Sequence, residues 1–343
     1  MDSSLLPAGQ PLPTTPLKLL AHGEANLIFR LGTDRLVRLA VNTPNQRFGG
    51  DFSRVTAFEG EILRYLQGAG LGHTLWAEQL KPTNRFPYTY LITNYLEGQP
   101  LNYSRQHLQY CAETLARLHC LPLVPGYGPI DQVLPQVQRL PQPLSLFFQE
   151  AQDYAQPYLD FPEAEPEIVD LLKAVLAKAK DRLGAEPLLT QHPHQCLVHS
   201  DHTYENWVIN DHTAYLIDWE WAEIGSPAGD LGHFLSPVTV RRYHNYSIPL
   251  DDRAFFLQTY YKALGDAALA DTMAIHFAVF GAFPAVRSLC WTAGYWVTAR
   301  CWYADAVAES ASAAARLARL EASRQQFPHM AAEVMAWLEE PLP

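Results

Sequence analysis

The stretch Leu197-Val198-His199-Ser200-Asp201-His202-Thr203-Tyr204-Glu205-Asn206-Trp207 carries the reading of this chain. An apolar run ends in His-x-Asp, and an Asn follows that Asp after four intervening residues. The spacing puts one carboxylate and one neutral oxygen donor on a single short loop. A carboxylate there can orient and deprotonate a hydroxyl, and an amide oxygen can hold a metal ion. A second segment, Leu216-Ile217-Asp218-Trp219-Glu220, follows closely. A hairpin between Trp207 and Ile217, turning at Asn210-Asp211-His212, would return Asp218 to the side of Asn206. An Asp leaving an apolar strand at that point can bridge metal ions and phosphate oxygens. Each motif alone also fits a capped turn. The ordered set of strand, loop, strand, turn, strand and Asp gives the assignment its weight.

Upstream, residues 1–16 hold four prolines and little to bury, which predicts a flexible leader. Apolar segments at strand spacing follow at Leu17–Ala21, Asn26–Leu31 and Arg35–Val41, separated by hairpin-like turns. Val55–Gln67 reads as a helix with Phe58, Ile62, Tyr65 and Leu66 on one face and Gly68 at its end. Leu75–Leu80 and Tyr88–Tyr95 read as two further strands. Five strands and one helix define an N-terminal lobe over 17–97, and Glu97-Gly98-Gln99-Pro100 reads as a connector.

Beyond it, over 98–343, the pattern turns helical. Gln106–Cys120 places Leu108, Cys111, Leu115 and Leu118 at helical spacing. Residues 121–166 contain nine prolines, which predicts loops and short helices there. Glu167–Leu183 reads as a helix, and Cys196–Val198, Trp207–Ile209 and Tyr215–Ile217 as short strands. Everything after residue 250 reads as helical, ending in the Ala-rich Ala304–Ser323 and a last helix, Met330–Glu339. Ala304, Ala308, Ala311, Ala315, Ala318 and Ala322 share one face. That face suits close packing, within the chain by default or across a homodimer.

A chain of 343 residues with 48% apolar and 18% charged residues can fill the cores of two lobes. Its net charge of −11, with no basic run, gives no footprint for nucleic acid. Five cysteines without C-x-x-C spacing predict no disulfide framework, and the N-terminus lacks the pattern of a signal peptide, so the cytoplasm is the expected location. The most apolar stretch, Ile275–Val297, is interrupted by His276, Pro284 and Arg287, which fits a buried helix better than a membrane span.

With these residues in view, the chain resembles the aminoglycoside phosphotransferase and choline kinase family, the small-molecule branch of the protein-kinase-like fold. The family's His-Gly-Asp-(four residues)-Asn appears as His199-Ser200-Asp201…Asn206, and its Ile-Asp-(Trp/Phe)-Glu as Ile217-Asp218-Trp219-Glu220. Its Gly-x-Pro-x-x-Asp-Leu appears as Gly225-Ser226-Pro227-Ala228-Gly229-Asp230-Leu231. Looser matches are Gly23-Glu24-Ala25-Asn26 for the phosphate-covering hairpin, Val37-Arg38-Leu39 for the basic strand, and Glu59–Leu66 for the helix with the paired Glu. Four positions depart from the pattern: Ser200 replaces Gly, Arg38 stands where many members have Lys, the phosphate-covering turn has a single glycine, and Asn94 takes a hinge position that is often acidic.

The resemblance implies an α+β, two-lobed protein-kinase-like fold, with an N-terminal antiparallel-sheet lobe and a larger, mainly helical C-terminal lobe. It implies transfer of the γ-phosphoryl group of ATP, with Mg²⁺, to a hydroxyl of an aminoglycoside-, sugar- or amino-alcohol-like molecule. Asp201 would be the base, and Asn206 and Asp218 would hold the metal. Arg38, steadied by Glu59, would meet the nucleotide phosphates, and the backbone of Asn94, Tyr95 and Leu96 would meet the base. His199 and Asp230 would buttress the loop.

Several features bear on the acceptor. His202 and Tyr204, inside the loop, fit an acceptor wall and simple packing equally. Trp291 and Tyr295, spaced i, i+4 in an aromatic-rich region with Phe283, Trp296, Trp302 and Tyr303, fit a quaternary-ammonium site or, more simply, a core. Glu220 and Glu223 favour a cationic acceptor, whereas Arg287 and Arg300 favour an anionic or neutral one. His192, His194, Cys196, His199 and His202 lie close together, but a strand at 196–198 disperses them and disfavours zinc. A choline or ethanolamine kinase is the narrower alternative, and a nucleotide-binding scaffold without turnover is the rival. A protein kinase is a third reading, opposed by the absence of H-R-D-L and A-P-E segments.

Overall fold

Alternating apolar residues between Lys18 and Asn94 build a single antiparallel sheet. The computed structural model describes residues 17–22, 26–41, 46–84, 86–123, 136–241, 246–306 and 311–343. The expected leader over 1–16 and the turn Gly23-Glu24-Ala25 lie outside the described residues. These cluster into two units. The first holds the described residues up to Thr114, with 122–138 and 205–222; the second holds 115–121, 139–204 and 223–343.

In the first unit, β1 (Lys18–His22), β2 (Asn26–Leu31), β3 (Arg35–Ala40), β4 (Leu75–Gln79) and β5 (Thr89–Asn94) form a sheet in the order β1-β2-β3-β5-β4. Register places Arg38 opposite Ile28 on one side and Leu91 on the other. Because side chains alternate, Leu31, Val37, Tyr90 and Ile92 pack together on one face. Arg38 therefore points to the opposite face, where helix α1 (Phe52–Tyr65) lies. Asp51 caps that helix by accepting the Ser53 N–H at 2.9 Å. The helix buries Val55, Phe58, Glu59, Ile62 and Leu63.

The same unit receives the hairpin of β8 (Trp207–Ile209) and β9 (Ala214–Leu216). Asn210 Oδ1 accepts the N–H groups of His212 and Thr213 and so closes its turn. Gln99 and Ile209 exchange two backbone hydrogen bonds of 2.9 Å, and the Leu216 N–H donates to the Leu71 carbonyl. Both approaches need glycine: a Cβ on Gly98 would lie 2.6 Å from the Ile209 oxygen, and one on Gly72 would overlap the Leu216 carbonyl.

Helix α2 (Arg105–His119) contributes its first ten residues to the first unit and its end to the second. The second unit is mainly helical. It holds α3 (Pro143–Leu159), α4 (Pro166–Asp181), α5 (Pro187–Gln191), α6 (Ala228–Phe234), α7 (Pro237–Arg241), α8 (Leu250–Ala263), α9 (Ala267–Phe280), α10 (Phe283–Ala306), α11 (Ala311–Gln325) and α12 (Phe327–Glu339). Strand β7 (Cys196–Val198) pairs antiparallel with β10 (Glu223–Gly225), and the two-residue strand β6 (Gln138–Arg139) flanks β10. Helix α10 packs along α3 so closely that a Cβ on Gly294 would overlap the Tyr154 carbonyl.

Two expectations are corrected. The proline-rich stretch contains α3, a helix of 17 residues: Pro143 opens it, where a missing N–H costs nothing, and Pro157 falls only in its last turn. Strand β10 was not foreseen, because three residues carry no legible periodicity. Of the span Ala304–Ser323, residues 304–306 lie in α10 and 311–323 in α11, and 307–310, with Ala308, lie outside the described residues. In α11, Ala313, Leu320 and Ser323 are buried, whereas Ala315, Ala318 and Ala322 are exposed, so their face does not serve intrachain packing. One helical stretch, Ala267–Tyr303, is long and apolar enough to cross a membrane; 61% of its most apolar window is buried within the protein.

Candidate active site

Arg38 is the charged centre of the first unit. Its guanidinium lies on the α1 side of β3 and is only 6% exposed. Nη1 pairs with Glu59 Oε1 at 2.9 Å and Nη2 with Asp218 Oδ1 at 2.6 Å. Burial works against the charge on Arg38, but Glu59 and Asp218 outweigh it and raise its pKa above the ordinary arginine range. Burial lifts the Glu59 carboxyl to about 7; Arg38 opposes that rise and the negative Asp218 adds to it. Arg38 Nε is buried and has no hydrogen-bond partner among the described residues, an N–H that an incoming oxyanion would satisfy.

Asp218 leaves β9 in a left-handed conformation, with φ of 68°. It stays 35% exposed. The Ile217 N–H donates to the Asn206 carbonyl at 3.0 Å, so the hairpin brings Asn206 and Asp218 to one end of its two strands. The Trp219 N–H reaches Glu59 Oε1 at 3.4 Å, and buried Glu220 adds a third negative charge near Arg38. A carboxylate and an amide oxygen suit Mg²⁺, which takes few protein ligands and fills its octahedron with phosphates and water. Among the described residues no three His, Cys, Asp or Glu side chains converge as a metal-binding group.

At the exit of β5, Asn94 is largely committed inside the protein. Its Oδ1 accepts the Thr74 N–H at 2.7 Å and its own N–H donates to the Thr74 carbonyl. Its carbonyl accepts from His73 Nδ1 at 2.9 Å. The Tyr95 N–H donates to the Asp34 carbonyl, and Arg30 lies 3.4 Å from the centre of the Tyr95 ring. Leu96 follows, half-buried. His73 was not singled out from sequence. Burial and then the charge of Arg38 lower its pKa to about 4, which leaves the ring neutral with its proton on Nδ1.

In the second unit, β7 delivers the loop that begins at His199. Ser200 takes φ of 67°, where a residue with a Cβ is strained. Asp230 is fully buried and holds that turn: the His199 N–H donates to Oδ2 at 2.9 Å and the Ser200 N–H to Oδ1 at 2.8 Å. His119 Nε2 lies 3.1 Å from Oδ2, and His202 Nε2 lies 2.9 Å from Oδ1. Burial would raise the Asp230 pKa, but His202 and His119 hold it well below the carboxylate range. Burial lowers the His119 pKa, and with Nε2–H on the Asp230 carboxylate its Nδ1 is left to accept from the Tyr260 hydroxyl at 2.8 Å. Ser200 Oγ donates to Glu223, itself buried on β10, at 3.1 Å.

Asp201 and Tyr204 are half-buried on this loop. His202, expected at an acceptor wall, is 0% exposed and faces Asp230. Trp291 and Tyr295 stack on each other at 4.5 Å with 12° between planes, and the Tyr295 hydroxyl meets that of Tyr303. Arg287 pairs with Glu150 at 3.0 Å and lies over Phe147; Arg300 pairs with Glu163 at 3.3 Å. Sequence reasoning passed over His119 and His233 because a polar residue on a buried helical face carries no periodic signal of its own.

A family model described as the phosphotransferase enzyme family matches residues 16–276. Among curated proteins, none matches the chain. Solved structures do. A choline/ethanolamine kinase family protein from Mesorhizobium loti is 18% identical, with a TM-score of 0.51 over 96% of this chain and 94% of that one. The choline kinase of Cryptosporidium parvum is 14% identical, with a TM-score of 0.55 over 98% and 93%. Aminoglycoside 2′-phosphotransferase-IIIa, in its GDP complex, is 14% identical, with a TM-score of 0.56 over 93% of each chain. At such identities the likeness is one of fold, and it is the kinase-like fold that the N-terminal sheet and helical remainder display. With three-quarters of its length matched by the family model, the chain belongs to the phosphotransferase enzyme family.

Proposed function

We propose that this phosphotransferase moves the γ-phosphoryl group of ATP, with Mg²⁺, to a hydroxyl of a small aminoglycoside-, sugar- or amino-alcohol-like acceptor in the cytoplasm. The observation that carries the reading is Arg38: buried, clamped by Glu59 and Asp218, and left with an N–H at Nε that no described residue meets. Such a donor suits a nucleotide phosphate. Glu59 holds the guanidinium at its base while the phosphates arrive. Asn206 and Asp218 would hold Mg²⁺, which supplies neutralisation of the charge on the phosphate oxygens when bound. Asp201 would orient the acceptor hydroxyl and take its proton as the new O–P bond forms. The Tyr95 carbonyl and the backbone of Leu96 are the candidates for the base, since Asn94 is engaged by Thr74 and His73 and the Tyr95 N–H by the Asp34 carbonyl.

Arg287 and Arg300 are each paired with a glutamate, which weakens the argument for an anionic acceptor and leaves Glu223, next to the loop, in favour of a cationic one. An amino alcohol such as choline or ethanolamine is the narrower form of the proposal. A nucleotide-turnover screen against pooled hydroxylated small molecules, with and without Mg²⁺, tests the proposal. Acceptor-dependent turnover should fall about 10²–10⁴-fold in Asp201→Asn. Nucleotide binding without turnover for any pool, unchanged in Asp201→Asn, would favour the scaffold instead.

A further inference from the structure

We propose that His233 is a positioning residue for Asp201, acting through the backbone of His202; this rests on the phosphotransfer reading above. The segment His199–His202 is neither helix nor strand, yet its four successive N–H groups all need partners. Side chains supply every one. The first two donate to Asp230. The Asp201 N–H reaches His199 Nδ1 at 3.3 Å, and the His202 N–H reaches His233 Nδ1 at the shorter distance of 2.9 Å. The peptide that follows Asp201 is therefore fixed by one imidazole nitrogen.

That nitrogen accepts only when it carries no proton, which requires the Nε2–H tautomer of His233. The surroundings favour it. His233 is buried, and the neighbouring His202 and Arg287 oppose a second proton on the ring. His233 follows Asp230 by three residues on α6, so one short helical face carries both anchors. Asp230 grips the loop just before Asp201, and His233 grips it just after. The helix is itself held close, because a Cβ on Gly232 would overlap the Gly281 carbonyl. Without the His233 acceptor the peptide between Asp201 and His202 can turn and carry the carboxylate off line. A misplacement of about 1 Å costs on the order of 10²-fold in rate.

Two substitutions separate positioning from packing. His233→Asn keeps an acceptor oxygen close to the place of Nδ1, and His233→Leu fills the space without one. With MgATP and a pool of choline, ethanolamine and kanamycin, His233→Leu should lower kcat about 10- to 100-fold while KM for ATP stays within about twofold. His233→Asn should recover to within about fivefold of wild type. Wild-type kcat in His233→Leu, or equal losses in both variants, would overturn the assignment. Nitrogen NMR of wild-type protein gives a readout independent of turnover. The expected result is the Nε2–H tautomer with slow exchange of the His202 amide; an Nδ1–H tautomer would overturn the contact. A wild type without turnover counts against the phosphotransfer reading, and the tautomer then decides the His233 contact alone.

Discussion

Glu59→Gln tests the electrostatics of the Arg38 cluster. One guanidinium faces Glu59, Asp218 and Glu220, so negative charge is in surplus, and Glu59 is the member deepest beneath the sheet. Burial lifts its carboxyl from 4.5 to about 7. Between those values the folded protein binds a proton that the unfolded chain has released. This contribution to stability is thus full below pH 4.5 and is lost as pH rises through 7. Integrated from pH 5 to pH 8, the loss is about 2.5 kcal/mol, at about 1.4 kcal/mol per pKa unit. Gln keeps the shape and cannot titrate. Urea unfolding of both proteins at pH 5 and pH 8, followed by tryptophan fluorescence, isolates the effect because all other titrations are shared. The stability of wild type relative to the variant should fall by about 2.5 kcal/mol over that range. A constant difference would mean that Arg38 keeps Glu59 ionised throughout and would refute the argument from burial.

Other consequences follow from single contacts. His73 is depressed to about 4 by burial and Arg38, so its stabilising contribution is present above pH 6.5 and is lost as pH falls through 4; His73→Asn, which keeps a donor for the Asn94 carbonyl, should flatten an acid limb of about 3 kcal/mol in the same unfolding assay. Arg182 is buried and donates to the carbonyls of Leu338, Glu340 and Ala278. Arg182→Leu strands these acceptors and should cost about 3 kcal/mol or more, seen as a lowered denaturant midpoint. Gly294→Ala should cost about 1–3 kcal/mol by forcing α10 from the Tyr154 carbonyl, read as a fall in thermal midpoint.

The parts of the fold legible in the sequence are those with local periodicity. The five strands and α1 emerged within a few residues of their observed ends, because alternation and helical spacing express which face is buried. The hairpin returning Asp218 beside Asn206 was legible because an Asx turn marks its bend. Helix α3 was hidden by treating every proline as a breaker, although Pro143 stands where a helix tolerates it. Strand β10 depends on a partner distant in sequence, and so does the choice of which face of α11 is buried. The same holds for the site. Arg38, Glu59 and Asp218 could be named from motifs and do meet. The hydrogen bonds of Asn94 to Thr74 and His73, and the burial of His202 on Asp230, come from tertiary neighbours that no local pattern encodes.

The central claim is phosphoryl transfer organised by Asp201, and the most direct measurement is label transfer from γ-labelled MgATP to a hydroxylated acceptor. Wild type should place the label on the acceptor. Asp201→Asn should bind ATP with unchanged affinity and transfer about 10²–10⁴-fold more slowly. Equal transfer by both proteins, or label that never leaves ATP in the presence of any acceptor pool, would contradict the account.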